Sequence, residues 1–245
     1  MDNSTIKILG INFINTKVET VVERLKSGGL LVVPAAPALI TVQKDHEYYA
    51  SLLVADIVIP DSGYMVLIWN LIKKKKIHRI SGLEFLMAFL GDPEVRESSF
   101  LLVNPGAEAS EANEQYLNRI GMVKGRHTSY SAPFYGKSNV IDEKLLSLIE
   151  SEKPKYILIN LGGGAQEKLG AYLKQNLTYN PAIICTGAAI AFLTGQQAKI
   201  PYWADKVFLG WLFRCIENPK LYIPRYVKAF KLIVLMIRYG PNSPE

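Results

Sequence analysis

The sequence predicts an α/β protein in which helices flank a largely parallel sheet, followed by a basic helical appendage at the C-terminal end. Three observations carry this expectation. Five short apolar runs recur along the chain, helix-length segments separate them, and the excess positive charge is confined to the last fifty residues. Short runs apolar at every position mark strands buried on both faces, as parallel strands lying between two helical layers are.

The runs are Gly29 to Val33, Ile57 to Ile59, Phe100 to Val103, Tyr156 to Asn160 and Ala182 to Cys185. Between them, Thr16 to Ser27, Glu108 to Ile120 and Asp142 to Glu152 show the apolar spacing of amphipathic helices. Each run ends in turn residues: Pro34 to Pro37, Pro60-Asp61-Ser62-Gly63, Asn104-Pro105-Gly106, Gly162-Gly163-Gly164 and Thr186-Gly187. Ligands of open α/β sheets bind beyond the carboxyl ends of the strands, so these five turns are expected to converge on one site. Lys124 to Ser138, a polar segment containing Tyr130, Phe134 and Tyr135, reads as a loop, either folded over a ligand or plain surface connection. Lys73 to Lys76 follow an apolar helix. They read as its solvated end, favoured by the helix dipole, or as part of a basic surface shared with the tail.

At 245 residues the chain can bury one sizeable core, and the division expected is a core over residues 1–195 and an appendage over 196–245. Hydrophobic content of 49% with 20% charged residues is that of a folded chain. No apolar stretch reaches the roughly 18 to 20 residues that span a bilayer, and the N-terminus lacks a basic region followed by an apolar one. The expected location is therefore the cytoplasm, with any membrane touched from that side. Cys185 and Cys215 have neither metal nor redox spacing, and His46, His78 and His127 are scattered, so no metal site is expected.

The last fifty residues hold eight Lys or Arg against three Asp or Glu, a net of +5 out of the chain's +6. Trp203, Phe208, Trp211 and Phe213 are interleaved with these charges, and a helix from Tyr222 onward would set Arg225, Lys228, Lys231 and Arg238 opposite Tyr226, Val227, Phe230, Ile233, Val234 and Ile237. Cations that meet head groups beside aromatic residues at the water boundary suit an anionic membrane surface, with the helix in the interface plane. The plainer reading is an amphipathic helix covering its own sheet. A pI near 9.1 with aromatics beside cations raises nucleic-acid binding, but confinement of the charge to an apolar amphipathic tail argues against it. Left uncovered, the apolar face would favour a homo-oligomer. Removing everything after Gly195 is expected to raise solubility and lower membrane binding.

Two motifs and one arginine could carry chemistry. Gly162-Gly-Gly-Ala-Gln-Glu-Lys168 lies between an apolar strand and a helix starting near Ala165, where glycines let backbone N–H groups approach a phosphate at the helix N-terminus. It lacks the Lys-Ser/Thr of a nucleotide-binding P-loop, and a tight strand-to-helix turn that needs glycine is the plainer reading of its spacing. Asp61, at a strand end, could accept a proton from a substrate hydroxyl or simply cap a turn. The sequence contains no Asp-x-Asp pair for a divalent ion, so a bound diphosphate would be met by arginine, lysine and backbone N–H groups, with Arg79 the candidate in the core.

In order along the chain, Ile8 to Asn12, Ala55 to Asp61, Arg79 to Gly82, Ile159 to Lys168, Thr186-Gly187 through Gly195, Pro201, Trp203, Leu209 to Arg214, Glu217 to Pro219 and Arg225-Tyr226 resemble the WecG/TagA/CpsF glycosyltransferases. The resemblance implies a Rossmann-like core and an appendage that contacts the membrane and helps complete the site. It further implies inverting, metal-independent transfer from a UDP-sugar, with no cofactor, to a polyprenyl-diphosphate-linked saccharide at the inner membrane face, in cell-surface polysaccharide synthesis. By position, Asp61 matches the family's proposed base and Arg79 an arginine near the phosphates. Gln166, with Gly162, Gly163, Gly164 and Gly187, matches the donor site, and Arg214 and Arg225 match arginines that hold diphosphate. Two blocks depart. Pro34-Ala-Ala-Pro-Ala38 stands where many members read Thr-Pro-Asn-Pro-Glu, and Gly187-Ala-Ala-Ile-Ala191 where many read Gly-Gly-Ser-Phe-Asp. Both make the pocket more apolar, implying a different donor contact, or alternatively a noncatalytic relative that binds nucleotide-sugar or organises a polysaccharide complex.

Overall fold

The computed structural model describes residues 5–123, 125–136, 140–197 and 210–244. A sheet of eight strands runs in the order β1-β2-β4-β3-β8-β7-β5-β6, comprising β1 (Thr5–Ile8), β2 (Ile11–Ile14), β3 (Gly29–Val32), β4 (Ile57–Val58), β5 (Phe100–Asn104), β6 (His127–Ser131), β7 (Tyr156–Ile159) and β8 (Ala182–Cys185). Only the β1–β2 pair is antiparallel; every other neighbouring pair is parallel. The five apolar runs are thus β3, β4, β5, β7 and β8, as their patterning predicts.

Pleating sorts their side chains onto two faces. Leu30, Val32, Leu101, Val103, Ile157, Ile159, Ile183 and Cys185 enter one buried cluster. Their alternates Leu31, Phe100, Leu102, Tyr156, Leu158, Ala182 and Ile184 enter the other. The first face is covered by α3 (His46–Leu53), α4 (Gly63–Ile72), α8 (Glu143–Glu152) and α9 (Ala165–Asn176). The second is covered by α1 (Val18–Leu25), α5 (Gly82–Gly91), α7 (Ala107–Arg119) and α10 (Ala189–Thr194), while α2 (Ala36–Leu39) and α6 (Pro93–Arg96) are single turns. Helix α9 lies on the sheet at Gly170, where a Cβ would come within 2.8 Å of Leu30 Cδ1 and 2.9 Å of Cys185 Sγ. Cys185 is accordingly a buried packing residue, and burial pushes its thiol pKa up.

The structure departs from the sequence expectations in three places. First, residues 5–14 form a hairpin whose turn, Leu9 (φ 51°) and Gly10 (φ 78°), has both central residues left-handed, the geometry of a two-residue type I′ turn. Second, part of the segment read as a loop is strand β6, paired in parallel with β5 at the sheet's edge. The remainder is tethered: Tyr130 and Tyr135 donate hydroxyl hydrogen bonds to Asp142, which also caps α8. Burial and the Asp142 carboxylate push Tyr130 up to about 12 and Tyr135 higher still.

Third, the single helix expected from Tyr222 is two. After α11 (Gly210–Glu217), α12 (Pro219–Ala229) ends in a tight turn at Phe230, whose N–H reaches Val227 O, and α13 (Lys231–Tyr239) sets off anew. The break turns Leu232, Leu235 and Met236 inward beside Met65, Val66 and Trp69 of α4. Beyond α13, the Gly240 and Pro241 carbonyls accept the N–H groups of Leu9 and Gly10. The end of the chain is therefore built into the core's packing, and removal after Gly195 would uncover that cluster. Among the described residues no helix is long and apolar enough to cross a membrane.

Candidate active site

The turns after β3, β4, β7 and β8 meet at the carboxyl edge of the sheet. Asp61 follows β4. Its Oδ1 accepts the Gly82 N–H at 2.9 Å and lies 3.7 Å from Arg79 Nη2, while Arg79 Nε donates to the Asp61 carbonyl at 2.6 Å. Gly82 opens α5 behind a Ser81–Glu84 capping box, so the carboxylate sits at a helix N-terminus beside a guanidinium. The turn reading of Asp61 is met by Oδ1, which is used for fixation, while Oδ2 takes no hydrogen bond among the described residues.

Gly82 also links this corner to its neighbours. A Cβ there would stand 3.2 Å from Val33 Cγ1, 3.8 Å from the Thr186 carbonyl and 4.0 Å from Ala189 Cβ. The turn after β3, the Asp61 clamp and the turn after β8 therefore pack around one glycine.

The glycine run after β7 opens α9. Gly164 is left-handed (φ 97°), and a Cβ on Gly162 or Gly164 would meet nothing within 4 Å. The nearest group to Gly163 is Ala38 Cβ, 3.9 Å from its would-be Cβ. The substituted residue of the Pro34–Ala38 block thus faces the glycine turn, leaving small groups and open space on both sides.

Gln166, by contrast, is buried. Its Oε1 accepts the Gly187 N–H at 2.7 Å, and its Nε2 donates to Glu167 Oε1 at 3.0 Å. It braces the turn after β8 against the start of α9. Glu167 is also buried and returns its Oε2 to the Gly164 N–H at 2.6 Å. Burial raises its pKa above the usual carboxylate range, against the pull of its hydrogen-bond donors. Lys168 turns away to α3, pairing with Asp45 Oδ1 at 2.7 Å.

Sequence reasoning missed a further polar knot. Asn104, at the end of β5, accepts from Asn113 at 2.7 Å and Asn160 at 2.8 Å through one oxygen, and donates to Ser110. Asn160 ends β7. The available signal was two Asn residues closing otherwise apolar strands. The side chains of Arg214 and Arg225, and the segment carrying Trp203 and Phe208, lie outside the described residues. Among the described residues no three His, Cys, Asp or Glu side chains gather at a site that could hold a metal ion. A cleft of about 310 Å³ lies at the opposite edge, near Gly28, Asp56 and Asn180. Its Asp56 is already taken by the Leu30 N–H and Lys174.

A parallel sheet that gathers its polar groups at the carboxyl edge is the architecture of an α/β enzyme, and comparison with known proteins narrows the class to glycosyltransferases. The glycosyl transferase WecG/TagA/CpsF family model matches residues 6–244, and the chain belongs to that family. Among curated relatives, the N-acetylglucosaminyldiphosphoundecaprenol N-acetyl-beta-D-mannosaminyltransferase of Staphylococcus aureus strain MRSA252 is 25% identical over 228 residues, covering 89% of this chain and 87% of its own. The proteins of the same name from strains MW2 and NCTC 8325 are 24% identical with the same coverage.

Proposed function

We propose that this glycosyltransferase moves a sugar, with inversion, from a UDP-sugar to a polyprenyl-diphosphate-linked saccharide at the inner face of the cell membrane. The observation that carries the reading is the Asp61 clamp: a carboxylate fixed by Gly82 N–H and Arg79 at the carboxyl edge, with one oxygen left for a substrate proton. Relatives named for transfer to a diphosphoundecaprenol-linked acceptor support the acceptor class.

In this mechanism Asp61 takes the proton of the acceptor hydroxyl as its oxygen attacks the anomeric carbon, and the nucleoside diphosphate leaves from the opposite face. The leaving group's charge is met by Arg79, whose planar guanidinium pairs two phosphate oxygens, and by N–H groups where α9 begins. Because Glu167 already occupies the Gly164 N–H, the neighbouring N–H groups of that turn do this work. Gln166 contributes by holding Gly187 in place, and Arg214 and Arg225 are assigned to the donor or lipid diphosphate. With Ala38 against the glycine turn, the donor sugar is one recognised through apolar contact more than through a carboxylate or amide, and so differs from N-acetylmannosamine.

The test is UDP release over a panel of UDP-sugars with a short-chain polyprenyl-diphosphate saccharide, wild type beside Asp61→Asn. Asparagine keeps an oxygen for the Gly82 N–H while losing the base, so acceptor-dependent release should fall by about 10²-fold or more with the fold intact. Release that persists in the variant would remove Asp61 from the role. Silence of the wild type with every pair would favour the noncatalytic alternative.

A further inference from the structure

We infer that α4 of the core and the final helix α13 form one apolar, cation-rimmed face that seats on an anionic lipid bilayer, so that membrane attachment is shared by the core and is not confined to the tail. The inference rests on the proposed reading only for the presence of a lipid-borne acceptor. Its geometry stands by itself.

The two helices lie side by side and run the same way. Tyr64, in the first turn of α4, meets Phe230, just ahead of α13, edge-to-face at 5.8 Å. At the other end Lys73 Nζ lies 3.4 Å from where Gly240 would carry a Cβ. From Tyr64, positions three and seven residues on are Leu67 and Leu71; from Phe230, positions four and seven on are Val234 and Ile237. At 3.6 residues per turn each set is one stripe, and the ring contact joins the two stripes.

Both stripes are uncovered. Leu67 is 51% exposed and Leu71 82%, while Phe230, Val234 and Ile237 are 62%, 62% and 64% exposed. These helices already bury their other sides, through Met65, Val66 and Trp69 on α4 and Leu232, Leu235 and Met236 on α13. The outer residues therefore form a second apolar side, which the fold does not need for its own core. Contiguous apolar surface of this kind marks a binding face.

Charge selects the partner. Residues 63–76 hold four Lys and residues 219–239 hold five Lys or Arg, and neither segment contains an Asp or Glu. Lys73 folds over Trp69, Lys75 and Lys76 reach only backbone carbonyls, and no carboxylate pairs with the run among the described residues. Apolar side chains ringed by cations alone match acyl chains beneath anionic head groups. A second copy of this chain would instead oppose like charges across a two-fold contact. Because α4 starts two residues beyond Asp61, a bilayer on this face lies alongside the carboxyl edge where a lipid-linked acceptor must arrive.

Flotation of the full-length protein with phosphatidylcholine vesicles, with and without phosphatidylglycerol, tests this. Wild type should float with the anionic vesicles. Leu67→Glu/Leu71→Glu, on α4 of the core and outside the tail itself, should lower the partition coefficient at least about tenfold. Replacing Lys73 to Lys76 by Gln should abolish most of the phosphatidylglycerol dependence, again about tenfold or more. An unchanged melting temperature confirms that the variants fold. If the glutamates lower it, Leu67→Ser/Leu71→Ser and the Gln variant carry the test. Undiminished flotation of the folded α4 variants would overturn the inference in favour of the tail alone. A wild type that ignores vesicles but forms a dimer dissolved by the same variants would overturn it in favour of self-association. Transfer to a short-chain, water-soluble acceptor without vesicles separates the two proposals: turnover without flotation sinks the face and spares the activity, and flotation without turnover does the reverse.

Discussion

Replacing Gln166 by Ala separates a brace from a ligand contact. The side chain is buried and makes two hydrogen bonds, accepting from Gly187 N–H at 2.7 Å and donating to Glu167 Oε1 at 3.0 Å. A hydrogen bond between neutral groups contributes about 0.5–1.5 kcal/mol and one to a carboxylate about 1.5–3 kcal/mol. The truncation also leaves a buried carboxylate oxygen without its donor, which sets the expected loss at about 2–4 kcal/mol. For a chain of 245 residues this is a fall in Tm on the order of 5–15 °C. Scanning calorimetry with and without UDP reads both halves of the argument. The variant should melt earlier, and UDP should still raise its Tm, though by less, because Gly187 is released and no direct contact is lost. A Tm within about 2 °C of wild type, combined with complete loss of the UDP shift, would refute the brace and make Gln166 a direct donor contact.

Three further outcomes follow from the same edge and its supports. Gly164→Ala forces an L side chain into φ 97° with open space around it, so it should cost about 1–2 kcal/mol through backbone strain alone and weaken UDP binding, both measurable by thermal shift. Glu167→Gln tests linkage. Burial raises the Glu167 pKa in the folded state, so the folded protein binds the proton more tightly than the unfolded chain. Its stabilising contribution is full below the unfolded value near 4.5 and declines as pH rises from there through the folded pKa. Denaturant midpoints taken from acid to neutral pH should fall less steeply in Glu167→Gln, and an identical slope in both proteins would contradict the buried titration. Truncation after Gly195 removes Leu232, Leu235 and Met236 from the main cluster, so the shortened protein should be less soluble and bind a hydrophobic dye. A soluble, cooperatively melting truncation would show that the core closes without α13.

The central strands were legible because burial on both faces leaves no polar alternation to confuse: Leu30 to Val32 and Ile157 to Ile159 are apolar at every position. The edges were not. Strand β6 reads His-Thr-Ser-Tyr-Ser, half in water and paired on one side only, so its composition matches that of a loop. The first hairpin turns on Leu9-Gly10, and leucine in a left-handed position carries none of the Asn-Gly or Asp-Gly signal such turns usually show. Within the site, Asp61 was legible as the turn residue at a strand end and Arg79 as a core arginine, but the contact between them was not, since it depends on how the segment before α5 folds back onto that turn. The inward rotation of Gln166 and Glu167 was invisible, since it depends on α9 sitting on the sheet at Gly170. The break at Phe230 was hidden for a similar reason: α12 and α13 are both amphipathic, and only the core determines which stripe turns inward.

The clasp of Gly240 and Pro241 onto Leu9 and Gly10 joins two segments that leave the ribosome more than two hundred residues apart. Until the final helix is released, the opening hairpin lacks two hydrogen-bond acceptors and α4 lacks its flank. A nascent chain therefore carries the unshielded Leu and Trp of α4 beside four lysines, and closure waits for α13 to emerge. The bilayer it is proposed to meet could serve as the surface on which that closure takes place. Synthesis with and without vesicles present should then differ in yield even though the finished protein is the same.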